Sequence, residues 1–117
     1  MQILVVDDNQ DLCEMMETVL LLEGYDVVAL TNPLLVHDVL NEKHPQLIVS
    51  DMLMSGVDGR VLCKNLKTDE KTRNIKIMMV SAHPDAEIRS REAGADDFLP
   101  KPFGIDEFVG KVKSLME

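Results

Sequence analysis

Ile3-Leu4-Val5-Val6-Asp7-Asp8 sets four continuous apolar residues against two acids. The run does not alternate, as a half-exposed strand would; it reads as a strand covered on both faces. Directly after it, Leu12, Met15, Met16, Val19 and Leu20 fall at i, i+3, i+4, i+7 and i+8, one apolar stripe along a helix. Strand then helix makes one βα unit, and the alternation continues along the chain. Further apolar runs stand at Val27-Val28-Ala29-Leu30, Leu47-Ile48-Val49, Ile77-Met78-Met79-Val80 and Phe98-Leu99. The last is followed by a second clear helical stripe, Ile105, Phe108, Val109, Val112, Leu115 and Met116. Boundary chemistry agrees: Asn32-Pro33 reads as N-cap and first helical residue, Asp58 as the N-cap of the third helix. Gly24 and Gly94 stand where helices should stop. Five such units imply an α/β fold with a five-stranded parallel sheet, right-handed crossovers and helices on both faces. In such sheets the site lies outside the carboxyl ends of the strands.

Composition narrows the function. A chain of 117 residues is one domain by length and can bury a core unaided. Its formal net charge of −9 repels phosphate backbones and anionic lipid, which argues against direct nucleic-acid or membrane binding. No apolar run is long enough to span a bilayer, and no basic region precedes the first one as in a signal peptide. Cys13 and Cys63 are too few for a disulfide framework and lack metal-ligand spacing, so a reduced, cytoplasmic setting is expected. His37 and His44 read as surface residues, and the methionines as core filler.

The strand ends carry the chemistry. The first run ends in Asp7-Asp8, the third in Asp51, the fourth in Ser81 and the fifth at Lys101-Pro102. Topology alone therefore gathers three carboxylates, a hydroxyl and an ammonium at one edge. Carboxylates so placed repel one another, and a hard divalent cation, Mg²⁺ or Mn²⁺, relieves that repulsion. Three Asp and one Lys leave a charge of −2, which such an ion cancels, so that the site can accept a phosphoryl dianion. Each residue alone has an ordinary reading, as a helix cap, a turn residue or a core hydroxyl; their order at four strand ends is what speaks for a site.

Val5-Val6-Asp7-Asp8, Asp51-Met52-Leu53-Met54-Ser55-Gly56-Val57-Asp58-Gly59, Ser81-Ala82 and the stretch from Gly94 through Asp97, Phe98, Lys101, Pro102 to Phe103 resemble the receiver domain of two-component response regulators, over essentially the whole chain. The resemblance implies one receiver domain over residues 1–117, with the flavodoxin-like doubly wound (βα)5 sandwich and strand order 2-1-3-4-5. It implies Asp51 as phosphoacceptor, taking a phosphoryl group from a histidine kinase or histidine phosphotransfer protein. Asp8, Asp7, Asp51 and the backbone carbonyl of Leu53 would hold Mg²⁺, with Asp7 acting through water. Lys101, the Ser81 hydroxyl and the Ala82 amide would hold phosphoryl oxygens, and the Lys101–Pro102 bond would be cis.

The same resemblance makes Ser81 and Phe98 switch residues. Phosphorylation would draw Ser81 toward the phosphoryl group, swing Phe98 inward and alter the face of the fourth helix, fifth strand and fifth helix. That face would control an output domain or partner, or form a homodimer. The fourth helical segment, residues 84–93, offers only Ala86, Ile88 and Ala93 as apolar contacts, which predicts a weakly held, movable helix. Phe98 lacks the hydroxyl of the Tyr often found there, and Ser55 replaces a common Pro, which would loosen its loop. Leu53 and His83 hold the positions that tune hydrolysis, Leu53 by shielding the phosphoryl group and His83 by bonding the attacking water. Asp96, Asp97, Arg89, Arg91, Lys111 and Lys113 are candidates for ion pairs across a dimer.

The chain is expected to be a signalling domain rather than an enzyme. An aspartate-nucleophile phosphatase of the haloacid dehalogenase type needs an acid where Leu53 stands. An FMN binder of flavodoxin type would meet repulsion from Asp7-Asp8 at its phosphate. A degenerate receiver, used only for binding, would not need the full acidic set. The sequence stops one helix after Lys101, so no output domain is expected within it, and the chain reads either as a free-standing receiver or as one cut from a larger regulator or hybrid kinase.

Overall fold

The structure is a computed structural model that describes residues 1–54 and 56–117. Five parallel strands form the sheet: β1 (Ile3–Val6), β2 (Val27–Leu30), β3 (Leu47–Asp51), β4 (Lys76–Ser81) and β5 (Asp97–Pro100). Their spatial order is 2-1-3-4-5, as the resemblance implies. Between them lie α1 (Gln10–Leu22), α2 (Val36–Glu42), α3 (Gly59–Thr68), α4 (Ala86–Glu92) and α5 (Ile105–Met116). One element was not foreseen: Leu53–Met54 pairs antiparallel with Val57–Asp58 between β3 and α3.

Alternate strand residues build two cores. Leu4, Ile48, Ile77, Met79 and Phe98 pack beneath α2, α3 and α4. Ile3, Val5, Leu47, Val49, Met78 and Leu99 pack beneath α1 and α5 with Met16, Leu20 and Phe108. Both faces of the three central strands are therefore covered, which is why their sequence runs are continuously apolar. Cys13 lies in the second core and Cys63 in the first, so the sheet separates the two thiols.

The boundary signals act as read. The Asp58 side chain accepts from the Arg60 amide at 2.9 Å and starts α3. Asn32 accepts from the Leu34 amide at 3.0 Å, and here the capped element is a 3₁₀ turn, Pro33–Leu35, that leads into α2. Gly24 and Gly94 have φ of 92° and 98°, the left-handed conformation that ends α1 and α4. The α4 helix is shorter than the segment read from sequence and buries only Ala86 and Ser90 within its span. No helix among the described residues is long and apolar enough to cross a membrane.

Candidate functional site

All strands of a parallel sheet end at the same edge, so the acids that terminate β1 and β3 meet there. Asp7, Asp8 and Asp51 each offer a carboxylate oxygen within 4.8 Å of the others. Register explains the meeting: Val6 pairs with Ser50, and both chains run one residue further into acid. Lys101 leaves β5 and enters from the other side, its Nζ 3.2 Å from Asp7 Oδ2 and 3.2 Å from Asp51 Oδ1. The Lys101–Pro102 peptide is cis, as expected.

The three acids differ in surroundings. Asp7 is fully buried, with Oδ1 accepting from the Asn9 amide at 2.9 Å and Oδ2 from Lys101. Asp8 is exposed and borders an open depression of about 470 Å³ shared with Leu53, Met54, Val57 and Asp58. Asp51 is 8% exposed. Burial pushes its carboxyl above the ordinary range, and the Asp7 charge adds to that, while Lys101 opposes both. Oδ2 of Asp51 accepts no hydrogen bond from any described residue. The cluster is an all-oxygen donor set with a net charge of −2 once Lys101 is counted, and it fits a hard divalent cation.

Of the remaining expected site residues, Ser81, Ala82 and Leu53 adjoin residues of this centre. Ser81 is nearly buried at the end of β4; its Oγ accepts from the His83 amide at 3.1 Å, and its carbonyl from the Lys101 amide at 3.0 Å. Ala82 and Lys101 line an open groove of about 630 Å³ with Asn9, Leu12, Met15 and Phe103. Leu53 is 54% exposed and stands beside Asp8. Phe98 does not join the cleft: its ring is 6% exposed and lies in the core beneath α4. A phenyl ring has no hydroxyl to hold it near water, so burial is its low-energy place. Ser55 lies outside the described residues, and with it the expectation of a looser loop there.

Most of the charged residues expected to pair across a dimer have partners inside the chain. Asp97 bonds Lys111 at 3.2 Å and Arg91 at 3.5 Å, Asp96 bonds Lys67 at 2.7 Å, and Lys113 meets Glu23 at 3.5 Å. Two positions of weight were given no role of their own by the sequence reading. Gly59 is packed so closely that a Cβ there would stand 2.6 Å from the Asp51 carbonyl oxygen and 2.9 Å from Met52 Cα. Ser90, buried in α4, directs its hydroxyl at Met52 Sδ, 3.8 Å away. A glycine after a cap residue and a serine in a polar helix carry no periodic signal, so only the fold reveals them.

Residues 3–113 match the family model of the response regulator receiver domain. The chain is 36% identical over 116 residues to the phosphate regulon transcriptional regulatory protein PhoB of Pseudomonas aeruginosa, covering 97% of this chain and 51% of that protein. It thus spans about half the length of the curated relatives it matches. Among solved structures, the signal receiver domain of a signal transduction histidine kinase from Syntrophus aciditrophicus superposes with a TM-score of 0.90 at 33% identity, covering 98% of this chain and 89% of that one. A response regulator receiver domain from Bermanella marisrubri gives a TM-score of 0.90 at 29% identity, covering 99% and 98%.

Proposed function

We infer the function from one premise: the chain belongs to the response regulator receiver domain family of two-component signalling. On that premise residues 1–117 act as one phosphoacceptor domain, and Asp51 is the acceptor. The observation that carries this reading is the convergence of Asp7, Asp8 and Asp51 within 4.8 Å, with one ammonium 3.2 Å from both buried acids.

An oxygen of Asp51 attacks the phosphorus of a phosphohistidine on a histidine kinase or histidine phosphotransfer protein. The new bond is carboxylate oxygen to phosphorus. The bond that breaks is phosphorus to imidazole nitrogen, whose electron pair stays on the nitrogen. Oδ2 of Asp51, unoccupied by any described donor, is the atom available for attack. Lys101 then holds an equatorial phosphoryl oxygen, and the Ser81 hydroxyl and Ala82 amide hold others, so that charge is met by groups already in place. Asp8, Asp51, the Leu53 carbonyl and, through water, Asp7 would hold Mg²⁺, which when bound supplies positive charge to the transferring group. The mechanism asks for little proton chemistry, because the Asp51 carboxylate attacks in its ionised form; burial and the Asp7 charge oppose that form and Lys101 favours it.

The signal leaves through α4, β5 and α5. Ser81, bonded by backbone to Lys101, moves with the phosphoryl group, and Phe98, the second switch residue, follows that motion from its place beneath α4. The partner is an output domain or downstream protein, reached as a monomer or as a homodimer through this face. Because Asp97 and Lys111 are already paired, a dimer would exchange ion pairs rather than add them. The setting proposed is cytoplasmic, and the domain assists only its own phosphorylation and dephosphorylation.

Incubation with acetyl phosphate and Mg²⁺ tests the reading. One phosphoryl group is expected on the intact protein by mass spectrometry, absent with EDTA and absent from Asp51→Ala. Labelling that survives Asp51→Ala overturns the assignment.

A further inference from the structure

Beside the cleft, on the α3–α4 side, lies a second small pocket that adjoins it at Leu53. It holds about 160 Å³ and is lined by Met52, Leu53, Arg60, His83 and Arg89. In a chain of net charge −9, Arg60, His83 and Arg89 line one concavity together with the apolar Met52 and Leu53.

Each polar wall has a donor left over. Arg60 spends Nε and one Nη on Asp58, at 3.0 and 2.7 Å, which cancels its charge but leaves further N–H groups. His83 Nδ1 accepts the Asp85 amide at 3.2 Å, so the neutral ring carries its hydrogen on Nε2 and is a donor, not an acceptor. Arg89 is exposed and makes no ion pair with any described residue, whereas its neighbour Arg91 is paired to Glu87 and Asp97 on the other side of α4. The balance is one uncompensated positive charge with three sets of donors. That matches one carboxylate rather than a phosphate dianion, and a guanidinium binds a carboxylate through two parallel bonds. Met52 and Leu53 in the same lining offer a surface for methylene groups.

We propose that this pocket receives a glutamate side chain of a protein partner that reaches the phosphorylation cleft from the α3–α4 side. The pocket stands on its own geometry; placing its partner at the cleft rests on the reading of Asp51 given above, because Leu53 borders both. The local sign reversal gives the partner its register: elsewhere on this acidic surface a glutamate is repelled.

The test is a chemical-shift titration of the full chain with the capped peptide acetyl-Ala-Leu-Glu-Leu-Ala-amide. Saturable shifts are expected at His83, Arg89 and the Arg89 Nε–H, with binding at least tenfold weaker for the Gln peptide and for Arg89→Gln. Arg91→Gln should bind as the parent does. Equal binding of the Glu and Gln peptides, no effect of Arg89→Gln, or displacement by inorganic phosphate at lower concentration than the peptide each overturns the proposal. Acetyl phosphate labelling on the same samples separates the two readings: labelling without peptide binding sinks the pocket alone, and peptide binding without labelling sinks the phosphoacceptor alone.

Discussion

Asp51 is held in a state that costs the fold something. Burial and the nearby Asp7 charge raise its proton affinity, so between the ordinary aspartate range and its raised value the folded state holds more protons than the unfolded chain. Stability therefore falls as pH rises through that window, and the loss persists at neutral pH. Asp51→Asn removes the charge while Lys101 keeps Asp7 as its partner at 3.2 Å. In metal-free buffer this variant should melt a few degrees higher than the parent at neutral pH, the scale of about 1 kcal/mol. The gap should close on acidification; a gap that widens instead contradicts the argument. Two residues on, Leu53 is half exposed at the rim of the cleft, where its side chain can only exclude water. Leu53→Asn replaces that cover with a group able to hold water, so the phosphoryl group on Asp51 should be lost faster, followed by its decay in intact-protein mass spectra. Slower decay would show that Leu53 does not shield.

Among the elements, the start of α3 is the most tightly constrained part of the site. The Gly59 amide donates to the Met52 carbonyl at 2.8 Å, and Leu53 pairs with Asp58, so the backbone after Asp51 is fixed by the helix that follows. A Cβ at Gly59 would press on the Asp51 carbonyl and Met52 Cα, neither of which can yield as a flexible side chain does. Gly59→Ala should cost about 1–3 kcal/mol in urea unfolding. It should also weaken Mg²⁺ binding, read by Mn²⁺ line broadening, because the displaced backbone carries the Leu53 carbonyl. Unchanged metal affinity would reduce Gly59 to a packing residue. Elements of this kind divide what sequence can tell from what it cannot. The four strand ends were legible because a parallel sheet forces its carboxyl edges together, whichever residues fill the helices. Phe98 was legible as a covered strand residue, but the expected inward swing was not legible as already made, since periodicity gives a side chain's face and not its rotamer. Arg60, His83 and Arg89 are 29 residues apart at their extremes and share a pocket only because α3 and α4 are neighbours on one face of the sheet. Nothing in their local sequence marks that meeting.

The whole molecule is a sheet that divides two cores and gathers charge at one edge. The division isolates Cys13 from Cys63, and burial raises both thiols, Cys63 to about 11. Native protein should therefore form no internal disulfide under oxidation and resist iodoacetamide at mildly alkaline pH, becoming labelled only in denaturant; labelling of the native state would contradict the packing. The gathered charge sets the response to metal. At the edge, three carboxylates face one ammonium within a chain of net charge −9, and an ion that binds there is coupled to folding, since the unfolded chain scatters the acids. At roughly 100 times its dissociation constant Mg²⁺ should add about 2.7 kcal/mol to stability, a rise in Tm of about 10 °C. Ionic strength alone must not reproduce this: KCl screens exposed charges but does not enter an oxygen-lined site. Protons compete with the ion at Asp51, whose affinity for them is raised, so the Mg²⁺ increment should shrink as pH falls toward the carboxylate range. Asp8→Ala should remove most of it at every pH, because Asp8 is the exposed member of the cluster and its loss opens the set without disturbing the buried Asp7–Lys101 pair. Thermal melts of parent and variant across Mg²⁺ concentration and pH check all three statements. A Tm that rises equally with KCl, or equally in Asp8→Ala, would mean that the acids do not act as one site.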